Sequence, residues 1–326
     1  MRFPLSFHGK LPLPLFSLLT WAGVGAFSPV AQAALHETYL LGQGPAESDL
    51  RTLSGVPGSR DYRVTVQNPD SRELDRIRRL PNASRIEVRA ESYPAEREVP
   101  AWQAWAHSGS GETMFIATSY PTPQEVERLN RIGFSKLALS FVDFPTSVDC
   151  ASLNRLQGEV KVFFNTGRYP QPPEQTPLLE LSPHFEIEMI ANQWPRYVHM
   201  DFLNRMPQKK GLTIRDIYPT DVALTYLVAI RDLGRLVVET DFDPYRADVW
   251  GKLSSFAVTW VRSGSLPSAS QLQGWKEALD QGARFEKLVL RPGRALTARE
   301  QEALESSRLP VDLRVDFRDP APDKSR

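Results

Sequence analysis

The chain has 326 residues, with 39 Lys and Arg balanced by 39 Asp and Glu, and a single cysteine. Zero formal charge without a basic stripe or tail argues against nucleic acid as a partner. One cysteine excludes a disulfide within the chain, so stability must come from a packed core, as suits bacterial export.

The N-terminus reads as a secretory signal over residues 1–33. Arg2 and Lys10 supply positive charge, and Leu11 to Phe27 is mostly apolar but interrupted by Pro12 and Pro14. Ala31-Gln32-Ala33 then gives a small-residue cleavage site before Ala34. The expected location is secreted or periplasmic. No later run is apolar for long enough to span a bilayer. The mature chain is expected to be one domain over residues 34–317, followed by a loose polar tail at 318–326.

From Pro45 onward proline marks a period. Pro69, Pro94, Pro121, Pro145, Pro170, Pro195, Pro219, Pro244, Pro267 and Pro292 follow at steps of 23 to 27 residues. Self-similarity in this range signals stacked supersecondary units. Five and eight residues after most of these prolines stand apolar side chains, such as Leu50 and Leu53, Leu74 and Ile77, Val126 and Leu129. Their spacing of three puts both on one helix face. The fourth residue is often acidic (Asp49, Glu73, Glu98, Glu125, Asp149, Glu174), and Thr122-Pro123-Gln124-Glu125 fits a capping box. Gly55, Gly133, Gly158, Gly234 and Gly282 are expected as left-handed helix ends. Before each proline lies a strand-like run. Val64 and Val66 alternate with Arg63, Thr65 and Gln67; Ile86, Val88 and Ala90 with Arg85, Glu87 and Arg89. Alternation of this kind gives one buried and one wet face. Helix-connected strands pair in parallel.

The expected fold is therefore a parallel-strand α/β repeat of about 11–12 units. The layout resembles the leucine-rich-repeat family in architecture, and Val160-Lys161-Val162-Phe163-Phe164-Asn165 matches that family's core fragment once. The asparagine does not recur at that place, so no asparagine ladder and no functional residues follow from the resemblance. An open curved solenoid with a concave sheet fits the unit count. The alternative is an eight-stranded (β/α) barrel with extra terminal units, favoured by the apolar residues on both faces of the central strands.

Three constellations are candidates for function. The first is an aromatic row just before the prolines, including Tyr93, Tyr120, Phe144, Tyr169, Trp194 and Tyr218. It would either line a rim and stack on sugar rings or a peptide, or pack on the helix starts and plug the unit edges. Tyr169 and Trp194 have the longest loops. The second is the polar strand face, with Arg63, Gln67, Arg85, Glu87, Arg89, Lys161, Glu186, Glu188, Arg215, Glu239 and Arg314 on the concave surface. Mixed charge on such a face can select a partner. The third is a set of strand-end acids, Asp143, Glu239 and Asp241, which in a closed barrel would face the catalytic mouth and suit glycoside hydrolysis. Cys150 sits where other units carry a core residue, and His199 and Asp201 are two apart on a helix. No metal-ligand, phosphate-loop or cofactor motif stands out. The expected function is an exported scaffold that binds a protein or a cell-envelope glycan through its concave face or aromatic rim. A secreted carboxylate hydrolase and a structural envelope component are the alternatives.

Overall fold

In a computed structural model the chain is described over residues 36–316, except 110, 217–219, 240–256, 265, 281–284 and 295. The expected signal segment and loose tail lie outside the described residues, as does Gly282. Strands β1 (His36–Leu41), β2 (Arg60–Val66), β3 (Ala83–Ala90), β4 (Gly111–Ile116), β5 (Lys136–Phe141) and β6 (Glu159–Gly167) form the first half. Strands β7 (Glu186–Ala191), β8 (Lys209–Ile214), β9 (Leu233–Glu239), β10 (Ala257–Ser263), β11 (Phe285–Arg291) and β12 (Val311–Asp316) form the second. The helices between them are α1 (Glu47–Ser54), α2 (Ser71–Arg78), α3 (Val99–Ala106), α4 (Pro123–Ile132) and α5 (Ser147–Leu153). They continue with α6 (Pro172–Glu180), α7 (Tyr197–Arg205), α8 (Asp221–Val228), α9 (Ala269–Asp280) and α10 (Ala298–Ser307). None of the described helices is long and apolar enough to cross a membrane.

Each sequence neighbour pairs in parallel, and β1 pairs with β12, so twelve strands make one closed barrel. The parallel α/β repeat is as the sequence indicates. The sheet closes, as in the barrel alternative and not in an open curve, and the ring takes in all twelve strands where eight with extra terminal units were expected. The closing seam is specific: His36 stands opposite Asp312 and Thr38 opposite Arg314. Thr38 Oγ1 also donates to Asp312 Oδ1 at 2.8 Å across 274 residues of chain.

The period in proline has a plain structural cause. Pro45, Pro69, Pro94, Pro121, Pro145, Pro170 and Pro195 each precede the residue that caps a helix or helical turn. There the ring holds the entering chain extended, and the cap then turns it into the helix. The acids four residues later close the caps. The carboxylates of Asp49, Glu98, Glu125, Asp149 and Glu174 accept the cap residue's N–H at 2.7–2.9 Å. Asp70 instead acts as the cap itself, accepting the Glu73 N–H at 2.8 Å. Replacing such a cap with alanine typically costs about 1 kcal/mol. Gly133 ends α4 in the left-handed region (φ 73°). Gly158 is also at positive φ, but in the turn that enters β6. The other expectations fail: Gly55 ends α1 in right-handed geometry, its N–H satisfied by Thr52 and Leu53 carbonyls, and Gly234 lies within β9.

The apolar core lies between the strand ring and the helix layer. Val64, Val88, Leu139 and Val162 point outward from their strands to meet Leu53, Ile77, Val126 and Leu153 of the helices, all fully buried. Burial of each such side chain contributes about 1.5–3 kcal/mol. Trp102 and Trp105 fill the wider gap beneath α3. Trp105 Nε1 donates to Thr113 Oγ1 at 3.0 Å, while the Trp102 ring packs on Phe115 and Phe134.

Units are also tied together by side-chain clamps. Asn130 donates to the Arg155 carbonyl and accepts the Gln157 N–H; Asn154 treats Glu180 and Ser182 alike, and Asn204 treats Ala229 and Arg231 alike. An asparagine ladder does exist, then, but on the helix ends and not at the strand position of Asn165.

Candidate functional site: the barrel lumen

Barrel width grows with strand number, and eight strands leave room only for interior side chains. Twelve strands enclose a lumen. Its cavity measures about 920 Å3 and is lined by residues of every strand except β1. The lining runs from the loops entering the strands (Gly158, Pro183, His184) to the strand exits (Asn165, Arg215, Glu239). Because the helices cover the outer face of each strand, the polar half of every alternating run points inward. Aliphatic side chains share the wall: Met114, Ile116 and Ile190, and the small buried cluster Val237, Val261 and Val289.

One ion network centres on Glu188. It is buried and faces Lys161 Nζ at 2.8 Å and Arg235 Nη1 at 3.3 Å, while Thr213 Oγ1 donates to it at 2.5 Å. Burial would raise its pKa, but Lys161, Arg235 and these hydrogen bonds outweigh burial and hold the carboxyl below its usual range. Lys161 also bridges to Glu186 Oε1 at 2.8 Å.

A second network holds four of the residues singled out from sequence, Arg63, Glu87, Arg89 and Arg314. Arg63 Nε donates to Glu87 Oε2 at 3.0 Å, and Arg89 Nε to Glu87 Oε1 at 2.7 Å. Burial pushes the Glu87 carboxyl up, and the two guanidinium groups overcome it, lowering it to about 2. On the far side of β1 stand Arg314 of β12 and Arg291 of β11. Burial and the charge of Arg63 push Arg314 down to about 9. Burial likewise lowers Arg89 and Arg291, with Arg63 adding to both.

The remaining candidates fall in different places. Arg215 lies at a strand exit, its Nε 2.9 Å from Glu239 Oε2 and its Nη1 donating to Asn165 Oδ1 at 3.0 Å. Asp143 is exposed beyond β5, and its carbonyl accepts the Tyr120 hydroxyl at 2.6 Å. Gln67 falls past the end of β2 and is exposed. Asp241 and Tyr218 lie outside the described residues. Cys150 is buried in the core, its thiol pushed up to about 12 mainly by burial.

Most of the aromatic row plugs unit edges and forms no open rim. Tyr169 and Trp194 are 1% and 7% exposed, and Phe144 is buried too. Tyr93 packs on Phe115, Tyr120 stacks on Phe141 at 4.0 Å and Phe144 packs on Phe164, each ring meeting an aromatic of the following strand. Tyr169 stacks on His199, whose Nδ1 accepts the Arg196 N–H, while Asp201 faces Arg205.

Lumen residues beyond the sequence candidates include Arg235, Lys287 and Arg291, with Asp312 beside Lys287. The signal for them was the same alternation: Leu288 and Leu290 face the helices, so Lys287 and Arg291 face inward. No protein-family model matches the chain, and no curated protein matches it either.

Proposed function

We propose that this is a binding protein whose ligand is a small polar molecule, of the class of a cell-envelope glycan fragment, taken into the barrel lumen. The observation that carries the reading is the charge-lined lumen of about 920 Å3 within the strand ring, in the range of about 300–1,000 Å3 typical of small-molecule sites. Closure narrows the choice made at the level of sequence, since a folded protein has no route to a concave face inside a ring. The wall suits a hydroxyl-rich ligand, with ion-paired side chains keeping spare donors and acceptors beside aliphatic surface. The described rings of the aromatic row before the prolines take no part in the lining.

A hydrolytic reading finds less support. Glycoside hydrolysis needs a carboxyl held protonated near neutral pH. Among the described residues every carboxyl with a displaced pKa is displaced downward (Glu87, Glu96, Glu174, Glu188 and Glu300).

The test is to fill the lumen. Ala138 is a short side chain of the cavity wall, between Met114 and Lys161 on the flanking strands. Ala138→Trp is expected to leave the circular dichroism spectrum intact and to abolish calorimetric binding of envelope-glycan fragments. Failure of the wild type to bind any fragment, or equal binding by the variant, overturns the proposal.

A further inference from the structure

The lumen wall is unevenly charged. Along β2, β3, β11 and β12 six cations line the cavity; Arg85 pairs with Glu112 of β4, and the other five (Arg63, Arg89, Lys287, Arg291 and Arg314) stand with two well-buried acids, Glu87 and Asp312. Glu87 is fully used, one oxygen for Arg63 and the other for Arg89. Asp312 gives Oδ1 to Thr38, and its Oδ2 stands 3.7 Å from both Lys287 Nζ and Arg314 Nε, too far for a hydrogen bond. Arg314 Nε is buried without an acceptor, and so is Arg291 Nε. Arg291 has no ion pair among the described residues. The two stand side by side: Leu290 pairs with Leu313, so the next residues, Arg291 and Arg314, are neighbours on adjacent strands.

A guanidinium group carries five N–H donors in a planar fork and cannot give up its charge near neutral pH. Burying two of them next to each other with donors unfilled is costly, and each such group calls for an explanation. Planar forks side by side on adjacent strands suit an oxyanion, which such a fork can bind in bidentate geometry. We propose that Arg291 and Arg314, backed by Arg63, form a binding site for an oxyanion group, carboxylate or phosphate, on a ligand inside the barrel. This rests on the lumen-binding reading and specifies that the ligand is acidic.

The experiment uses inorganic phosphate and citrate as separate probes, followed by calorimetry and by melting temperature at constant ionic strength set with chloride. Wild type should show saturable binding of at least one probe. Arg291→Gln and Arg314→Gln should each weaken it roughly tenfold or more, the loss expected when a charge-assisted bond is removed. Arg291→Lys, which keeps the charge but not the fork, should recover only part. Arg131→Gln, which breaks an exterior pair with Glu96, should bind as wild type does. The stronger of the two probes identifies the oxyanion. A rise in melting temperature that never saturates and persists in both glutamine variants is general salt stabilisation and overturns the site. So does the absence of saturable binding by either probe. Should neutral glycan fragments bind wild type and not Ala138→Trp while phosphate and citrate fail, the lumen reading stands and the oxyanion site alone falls.

Discussion

Along β6 to β9 the lumen wall is organised around a carboxylate, whereas along β11, β12, β2 and β3 it is organised around guanidinium groups. In the first stretch Glu188 collects Lys161, Arg235 and Thr213, and Lys161 passes on to Glu186. Charges there alternate from strand to strand and satisfy one another. In the second, Glu87 is spent on two arginines and Asp312 stands off from its cations, leaving Arg291 and Arg314 with buried donors unfilled. Both stretches use the inward half of the same repeat unit. One wall is complete as folded, and the other is complete only with something added. That difference, more than the presence of charge, is what separates scaffold from site.

The largest effect should come from the complete wall. Glu188→Leu leaves Lys161 and Arg235 without their shared partner and is expected to cost about 3–5 kcal/mol, the usual range for breaking a buried ion pair. Urea unfolding with the same m-value measures it. A cost below about 1 kcal/mol would mean that water in the lumen screens this wall, and the contrast between the walls would vanish.

Acid should act next most strongly, on the second wall. The folded pKa of Glu87 is lowered from 4.5 to about 2. Such a group contributes stability that is fully present above its unfolded pKa and is lost as pH falls from about 4.5 through about 2. The displacement corresponds to roughly 3 kcal/mol. Glu87→Gln should remove that part of the acid transition. It should also lower stability at pH 7, since Arg63 and Arg89 then face Arg314 and Arg291 unshielded. Identical acid profiles for variant and wild type would place the acid sensitivity elsewhere.

Much of this architecture was written locally. Proline before the cap, an acid four residues on, and alternation in each strand are short-range rules, and the structure keeps them in unit after unit. Closure is different. The inner face carries the same charges whether the sheet curls into an open arc or a ring. Which one forms depends on twist accumulated over twelve units and on one long-range seam, Thr38 against Asp312 and Arg314. No local pattern encodes that sum. The aromatic row was ambiguous for a related reason, because a ring before a proline reads the same whether it faces solvent or, like Tyr120 on Phe141, the next strand. The helix-end clamps of Asn130, Asn154 and Asn204 are legible in the sequence as asparagines one and two units apart. The imbalance of the lumen wall needed the register, which alone makes Arg291 and Arg314 neighbours, and the closed ring, which brings the charge of Arg63 to bear on both from the far side of β1.

The smallest effect is the one whose sign matters most. Arg314 is a buried cation among cations, with a folded pKa brought down to about 9, chiefly by burial and then by Arg63. An unfolded arginine keeps its proton to above pH 12. Between these values the unfolded chain holds more protons than the folded one, so the contribution of Arg314 to stability rises with pH through about 9 and is unfavourable at pH 7. Arg314→Met removes the charge and keeps much of the length. Asp312 retains the Thr38 hydroxyl and Lys287. Replacing buried ions by apolar side chains is often neutral or stabilising, so the variant should match wild type or exceed it by up to about 1 kcal/mol at pH 7. Its advantage should shrink by pH 10, as read from paired urea melts. A loss of more than about 1 kcal/mol at pH 7 would instead make Arg314 the structural partner of Asp312. Both walls would then be self-sufficient, and the reason to look for an acidic ligand would be gone.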